Sequence, residues 1–559
     1  MSDGERGSTV VEAGGSARGS AKGFKPRILA FCCNWCSYAG ADLAGVSRLQ
    51  YPPDIKIVRL MCSGRVEPVI ILRSFELGAD GVLVMGCHPG DCHYISGNLE
   101  AEKNIRKTHG VLEVLGIERD RLRLEWVSAS EGQKFAETVR EFVGRIKELG
   151  PLPLARRGTG ASEGAGAAGR EARVGLAKEK LDKLIERTGA FNCVECGKCT
   201  SLCPVTKYNQ EFAPRLLVVR AQEGMGAEAG SERDLWTCLT CARCSAKCPY
   251  KVKYNEFVRA LREEAFRAGA GPVCSEGGLL RTISRIQARP GLKQNRLGWL
   301  TPELRITESG ETVLFTGCVP YFEKIFSEKH PGLLESPRAA VRILNKLGVT
   351  PVVSGEERCC GHDVYWTGDT ETFEALARLN IEWMRRAGAR TVIAICPEGF
   401  RTLLKDYPKV DPGFDAEVLH ISEYLADALE DGRLKFTKEV RETVTYHDGC
   451  RLGRHIGVVE EPRMLLEKVP GLRLVEMENS GEDTACCGVS AFAGCDSVSK
   501  RLQVDRLRQA KKTGATKMLS FCPKCQIHFR CCLSGELPLP KEEVEVEIVD
   551  FLALLERAI

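Results

Sequence analysis

CVECGKCTSLCP at residues 193–204 and CLTCARCSAKCP at residues 238–249 decide how this chain is read. Each stretch has four cysteines at the same spacing and a proline after the last: Cys193, Cys196, Cys199 and Cys203 before Pro204, then Cys238, Cys241, Cys244 and Cys248 before Pro249. Three thiolates at this spacing wrap one face of a cube. The fourth lies too far along the chain and reaches a second cube instead. The expected partition is Cys193, Cys196 and Cys199 with Cys248, and Cys238, Cys241 and Cys244 with Cys203, each set around a 4Fe–4S cubane. Zinc knuckles seldom use four cysteines at this spacing twice. Two adjacent cubanes imply an electron wire rather than a catalytic site.

The rest of the composition fits an iron–sulfur protein. Of 559 residues, 43% are hydrophobic and 28% charged, and the net charge is only +4, which gives no electrostatic footprint for nucleic acid. No apolar run approaches the roughly 18 residues of a membrane helix. The 27 cysteines are an odd number, in a chain far longer than disulfide scaffolds, and read as metal ligands. The opening MSDGERGSTVVEAGGSARGSAKGF has no apolar core, so it reads as a disordered tail and not a signal peptide. The expected compartment is the cytoplasm.

Around the paired motif the chain alternates strand and helix signals. KPRILAFCC, DIKIVRLMC and GVLVMGC are short apolar runs that each end in cysteine. They predict a parallel sheet whose strand ends bring their thiols to one rim. Beyond the paired motif, TVLFTGC, RCCGHD and TVIAICPEG recur as TVTYHDGC, ACCGVS and KMLSFCPKC, with matching cysteines offset by 132, 127 and 126 residues. Two copies of one α/β unit, packed as a pseudo-symmetric pair, are expected. The whole is then a multidomain α/β and α chain: tail 1–24, small parallel-sheet α/β domain 25–149, flexible linker 150–173, helical ferredoxin-like two-cluster domain 174–290, and two repeated α/β CCG domains at 291–435 and 436–559. The linker holds a literal GxGxxG at Gly164, Gly166 and Gly169, but no strand precedes it and no nucleotide site is expected there.

In the second repeat Cys450, Cys486, Cys487, Cys522 and Cys525 follow the order C, CC, CxxC, with Gly488 after the doublet. Neighbouring cysteines cannot readily bond to each other. A turn beside glycine can aim both at one metal assembly. The first repeat has Cys318, Cys359, Cys360 and Cys396, with Gly361 after the doublet, but Gly399 stands where the fifth cysteine would be. Four thiols there could hold an iron–sulfur cluster or zinc, or form an empty structural site. His362, His447 and His455 lie close to these cysteines, and each could donate a proton or tune a cluster by hydrogen bonding. Cys274, Cys495, Cys531 and Cys532 fit no cluster pattern and read as ordinary thiols.

Three resemblances follow from these phrases. Residues 175–265 resemble the C subunit of heterodisulfide reductase. YHDGCRLGRH (446–455) and CCGVSAF (486–492) resemble the CCG signature of the B subunit of the same enzyme. That resemblance implies a non-cubane 4Fe–4S cluster held by all five cysteines of the second repeat, at which a substrate disulfide is split. FCCNWCSYAGADLAG, MCSGRV and GCHPGDCHY, within residues 27–140, resemble the delta subunit of methyl-viologen-reducing hydrogenase. That family carries one 2Fe–2S cluster and passes electrons between a hydrogenase or formate dehydrogenase and heterodisulfide reductase. Cys33, Cys36, Cys62, Cys87 and Cys92 are the family-type candidates, with Cys32 nearby and His88 and His93 as alternatives to thiolate. No flavin-binding segment is present. The implied partners therefore include a separate flavin-bearing heterodisulfide reductase component of the A type, a hydrogenase or formate dehydrogenase, and a small-molecule disulfide or thiol substrate. The alternative is an electron-relay or scaffold subunit with catalysis in a partner. CCG relatives also serve organic-acid oxidation and sulfur metabolism, and the direction of electron flow stays open at this point.

Overall fold

The computed structural model describes residues 23–154, 178–224, 232–328, 330, 332–536 and 539–559. Nearly all of the expected tail, most of the expected linker and the GxGxxG at Gly164, Gly166 and Gly169 lie outside the described residues. The chain divides into two compact units. One is formed by the residues up to Arg106 with Glu118–Pro153, the other by Lys107–Ile117 with Leu154–Ile559.

The first unit is built on four strands: β1 (Ile28–Cys33), β2 (Ile55–Leu60), β3 (Gly81–Gly86) and β4 (Leu122–Trp126). All pairs are parallel and the order is β2-β1-β3-β4. β3 is buried along its whole length, as a central parallel strand must be. The stretch VEPVIILRSFELG forms the helix Pro68–Glu76, with proline opening the first turn.

The second unit contains the repeat as two parallel sheets. The first sheet is β5 (Thr312–Phe315), β6 (Thr391–Ala394) and β7 (Glu417–His420), in that order. The second has β8 (Thr443–Tyr446), β9 (Arg473–Leu474), β10 (Lys517–Ser520) and β11 (Glu547–Asp550), in the order β11-β10-β8-β9. A single parallel bridge between Val313 and Val352 stands in the first half where β9 stands in the second. The halves exchange contacts reciprocally. Helix Ile421–Glu430, after β7, packs on helix Glu460–Glu467, and helix Phe551–Ala558, after β11, packs on helix Glu335–Lys346. One apolar core runs through both halves, from Trp366 and Leu403 to Leu519 and Phe551. A second core joins the helical two-cluster segment, through Phe257 and Leu261, to Leu507 and Phe529 of the second half. Helix Leu279–Gln287 lies on the first half, where Arg285 pairs with Asp369 at 3.0 Å.

Candidate iron–sulfur sites

In the first unit β1 decides which thiols can meet. Successive side chains on a strand face opposite sides. Cys32 points into the apolar core with Phe135 and Val139, where burial pushes its thiol up to about 12. Cys33 faces the other way. Its Sγ lies 3.8 Å from that of Cys87, just past the end of β3, and the sulfurs of Cys33, Cys36 and Cys87 all lie within 4.8 Å of one another. Hydrogen bonding from Cys36 holds Cys33 down at about 5. Cys92 packs on this trio, and Cys62 hydrogen-bonds to Cys92. The rim expected from the strand ends is therefore formed. The two histidines are engaged elsewhere: His88 Nε2 lies 2.7 Å from Glu131, and His93 stacks on Trp35 at 3.9 Å.

The paired motif forms two neighbouring cavities. One, of about 470 Å³, is lined by Cys193, Cys196, Cys199 and Cys248. The other, of about 340 Å³, is lined by Cys203, Cys238 and Cys241. Cys244 touches both. Cys248 thus lies with the cysteines of the first motif and Cys203 with those of the second. Burial pushes Cys238 up to about 12 and raises Cys203, Cys199 and Cys244, which are thiols crowded together with little solvent. A cluster that binds them as thiolates fits this donor set, since metal ligation removes the thiol protons.

In the repeat the strand ends place the cysteines. Cys396 follows β6 and Cys522 follows β10 at the same distance, and each precedes a helix opened by proline, Pro397–Lys405 and Pro523–Leu533. The doublets turn at Gly361 (φ +84°) and Gly488 (φ +85°). A Cβ at Gly488 would meet Ser499 O at 2.6 Å, and one at Gly361 would meet Phe373 at 2.7 Å. Only glycine accepts both the left-handed turn and the close approach. The turns bring the doublets onto their neighbours. Cys318 Sγ lies 3.3 Å from Cys359 Sγ, and Cys360 hydrogen-bonds to Cys359. In the second half hydrogen bonds run from Cys450 to Cys486 to Cys487 to Cys525 to Cys522, and Cys486 holds Cys487 down at about 6. These five thiols line a cavity of about 370 Å³.

Several features of this cavity were absent from the sequence reading. Cys396 of the first half hydrogen-bonds to Cys522 of the second, so the two centres touch. Lys524 and Glu398 occupy matching positions in CPKC and CPEG, and they pair directly across the two halves. Lys524 also pairs with Asp363, and Asp363 accepts from His362 Nδ1 at 2.8 Å. Burial lifts Glu398 to about 7 and lowers His362 to about 3, so His362 is neutral. Its Nε2 accepts from Arg451 Nε at 3.0 Å. His447 likewise accepts from Arg506, and burial lowers both His447 and His455. All three histidines serve as buried hydrogen-bond partners. The loop Cys238–Cys241 abuts the same cavity: Leu239 lines it, and Thr240 Oγ1 lies 3.0 Å from Ser490 Oγ. At Gly399 a Cβ would find only ordinary contacts, with Cys396 at 3.8 Å and Phe315 at 4.0 Å, so a side chain there is missing but not sterically forbidden.

Three family models match the chain. Residues 28–150 match the family described as methyl-viologen-reducing hydrogenase, delta subunit, residues 163–252 a 4Fe-4S dicluster domain, and residues 312–403 and 444–530 a cysteine-rich domain. The D subunit of the dihydromethanophenazine:CoB–CoM heterodisulfide reductase of Methanosarcina mazei is 30% identical over 392 residues, covering 65% of this chain and 93% of that one. The chain belongs to the family of heterodisulfide reductase D subunits. In front of that region it carries a hydrogenase delta-subunit domain. The D subunit of the Methanococcus voltae F420-non-reducing hydrogenase, an iron–sulfur protein, is 52% identical over 134 residues, 24% of this chain and 93% of that one. The B subunit of the CoM/CoB fumarate reductase of Methanothermobacter marburgensis is 31% identical over 403 residues, 69% of this chain and 76% of that one. The chain is thus an iron–sulfur subunit related to both kinds of complex. Among the described residues no helix is long and apolar enough to cross a membrane.

Proposed function

We propose that this chain accepts electrons at the Cys33, Cys36, Cys87 and Cys92 rim from a hydrogenase, a formate dehydrogenase or a flavin-bearing component of the A type. The cysteines of the paired motif carry them to the second-half cavity, where a small-molecule disulfide is reduced. The single observation behind this reading is that cavity, where five thiols meet the paired motif's own loop at Leu239 and Thr240. When bound, the iron–sulfur centres supply one-electron storage, and the five-cysteine centre supplies iron for the two sulfurs of the split bond. The protein's part is to shape and charge the site. Leu239, Pro397 and Val489 form apolar walls that keep water from a reactive sulfur. Arg451 and Lys524 bring positive charge beside a set of thiolates. Lys524 is held in place by Asp363 and Glu398, so its ammonium cannot swing out of the cavity.

The test is electron paramagnetic resonance on anaerobic, oxidised protein with and without added thiol. The reading expects a thiol-dependent signal that disappears in Cys487→Ser. A thiol without effect, alongside ordinary 2Fe–2S and cubane signals after reduction, would instead make the chain an electron relay. Gly399, which leaves the first half with four thiols, favours that second reading.

A further inference from the structure

Three arginines converge on the loop Cys238–Cys241. Arg262 donates from Nη2 to Cys238 O at 2.6 Å and from Nε to Leu235 O at 2.8 Å. Arg451 donates from Nη1 to Thr240 O at 2.5 Å and from Nη2 to Thr240 Oγ1 at 2.7 Å. Arg454 donates from Nη1 to Cys241 O at 2.9 Å. Arg262 and Arg451 are only 2% and 3% exposed. Among the described residues none of the three forms an ion pair with a carboxylate; their partners are carbonyls, hydroxyls and imidazoles. A buried guanidinium without an anion is costly. Arg454 also lies within electrostatic reach of Asp483, but the anions facing the two buried arginines are thiolate positions: Arg262 acts on Cys238, and Arg451 on Cys450.

The companion loop Cys193–Cys196 is charged differently, with Glu195, Lys198 and Arg215 lining its cavity. Glu195 stands where Thr240 stands in the other motif, and both have positive φ, 56° and 48°. Glu195 pairs loosely with Arg215 at 3.4 Å, and Cys196 is exposed, so charges there face screening solvent. The inner loop thus carries two buried cations and a half-buried third, while the outer loop carries a carboxylate with Arg215 and Lys198 beside it, all in contact with solvent.

From this contrast we infer that Arg262, Arg451 and Arg454 hold the inner cluster (Cys203, Cys238, Cys241, Cys244) at a higher reduction potential than the outer one (Cys193, Cys196, Cys199, Cys248). Electrons then run inward, toward Cys450. Reduction adds one negative charge to a cluster, so a nearby fixed cation favours the reduced form. Burial acts the other way, and the arginines overcome it. Arg451 does a second job: its contacts with His362 and Ser490 extend the same field to the cysteines of both repeats. The inference rests on the reading that both motifs load cubanes.

The experiment is a potentiometric titration of the full chain, followed by electron paramagnetic resonance, with iron content measured on the same samples. Cys196→Ser tags the outer cluster by altering its signal. The expected result is that the untagged cubane is reduced first. Arg451→Gln and Arg262→Gln shift its midpoint downward and leave the outer one in place, Arg451→Lys restores it, and Glu195→Gln moves the outer midpoint upward. Rescue by lysine separates charge from a merely structural role. The proposal is overturned if the tagged cluster is reduced first in otherwise native protein, or if the glutamine variants move both midpoints equally or neither. Iron content too low for two cubanes would sink the cofactor reading itself, which is a different result.

Discussion

Glu357 offers a strict test of how the first repeat is held. Its side chain and that of Arg296 are both fully inaccessible to solvent and pair at 2.7 Å. Glu357 Oε1 also accepts from Gly317 N at 2.7 Å, and Oε2 accepts from Thr316 N at 3.1 Å. The carboxylate therefore ties the loop leading to Cys318 to the segment leading to Cys359. Glu357→Gln keeps the shape but turns one acceptor into a donor facing donors, and leaves the Arg296 charge unpaired. Breaking such a buried pair from one side costs about 3–5 kcal/mol. At 1.4 kcal/mol per decade, this is a rise in local opening of roughly a hundredfold to a few thousandfold. Hydrogen–deuterium exchange of a peptide spanning Thr312–Cys318 reads that opening locally, which avoids assuming that so long a chain unfolds in one step. Loss of Cys318 from its place should also lower the iron bound in the first repeat. The double variant Glu357→Gln/Arg296→Met, which removes both charges, should recover most of the protection. Exchange in Glu357→Gln within tenfold of the native rate would refute the reasoning, as would a double variant worse than the single.

Four further expectations concern other positions. Cys32→Ser should leave intact the 2Fe–2S signal proposed for the first unit, and Cys33→Ser should abolish it, because the two side chains face opposite sides of β1. Gly488→Ala should cost at least the roughly 1–2 kcal/mol of a left-handed alanine, plus the collision with Ser499 O, and should lower iron content. Gly399→Ala, inside helix Pro397–Lys405, should be neutral or stabilise by about 0.5–1 kcal/mol in thermal unfolding. His420 is held neutral by burial, lowered from 6.5 to about 3, so its contribution is complete above the unfolded value and is lost as pH falls below it. By pH 5.5 the loss is about 1.4 kcal/mol, and His420→Asn should show a correspondingly shallower fall in unfolding midpoint between pH 8 and 5.5.

The cysteine groups and the repeat were legible because ligand spacing and internal similarity are local properties of a sequence. Parallel sheets followed from short apolar runs ending in cysteine, and β1, β2 and β3 lie where those runs fall. The exclusion of Cys32 was within reach too, since strand alternation separates it from Cys33, but that needed the strand's phase. The Cys396–Cys522 contact, the Lys524–Glu398 pair and the arginines on the Cys238–Cys241 loop join residues far apart in the chain. No periodicity or spacing signals such pairs; they exist only once the two halves have packed. The boundary expected between residues 435 and 436 reads cleanly in the repeat, yet reciprocal helix contacts and a common core bind its two sides together.

That common packing has a consequence for how the protein is made. The core shared by the two-cluster helices and the second repeat includes Cys238, Cys241, Cys486, Cys487, Cys522 and Cys525 among its buried members. On the proposed function, iron delivery has to reach these positions before the surfaces close over them, because metal binding and folding of such sites are one equilibrium. A cell short of iron would therefore accumulate chains open across this whole region, exposed to proteases, rather than finished molecules with a single gap in the wire. Abundance of the protein would then report iron supply as directly as its activity does.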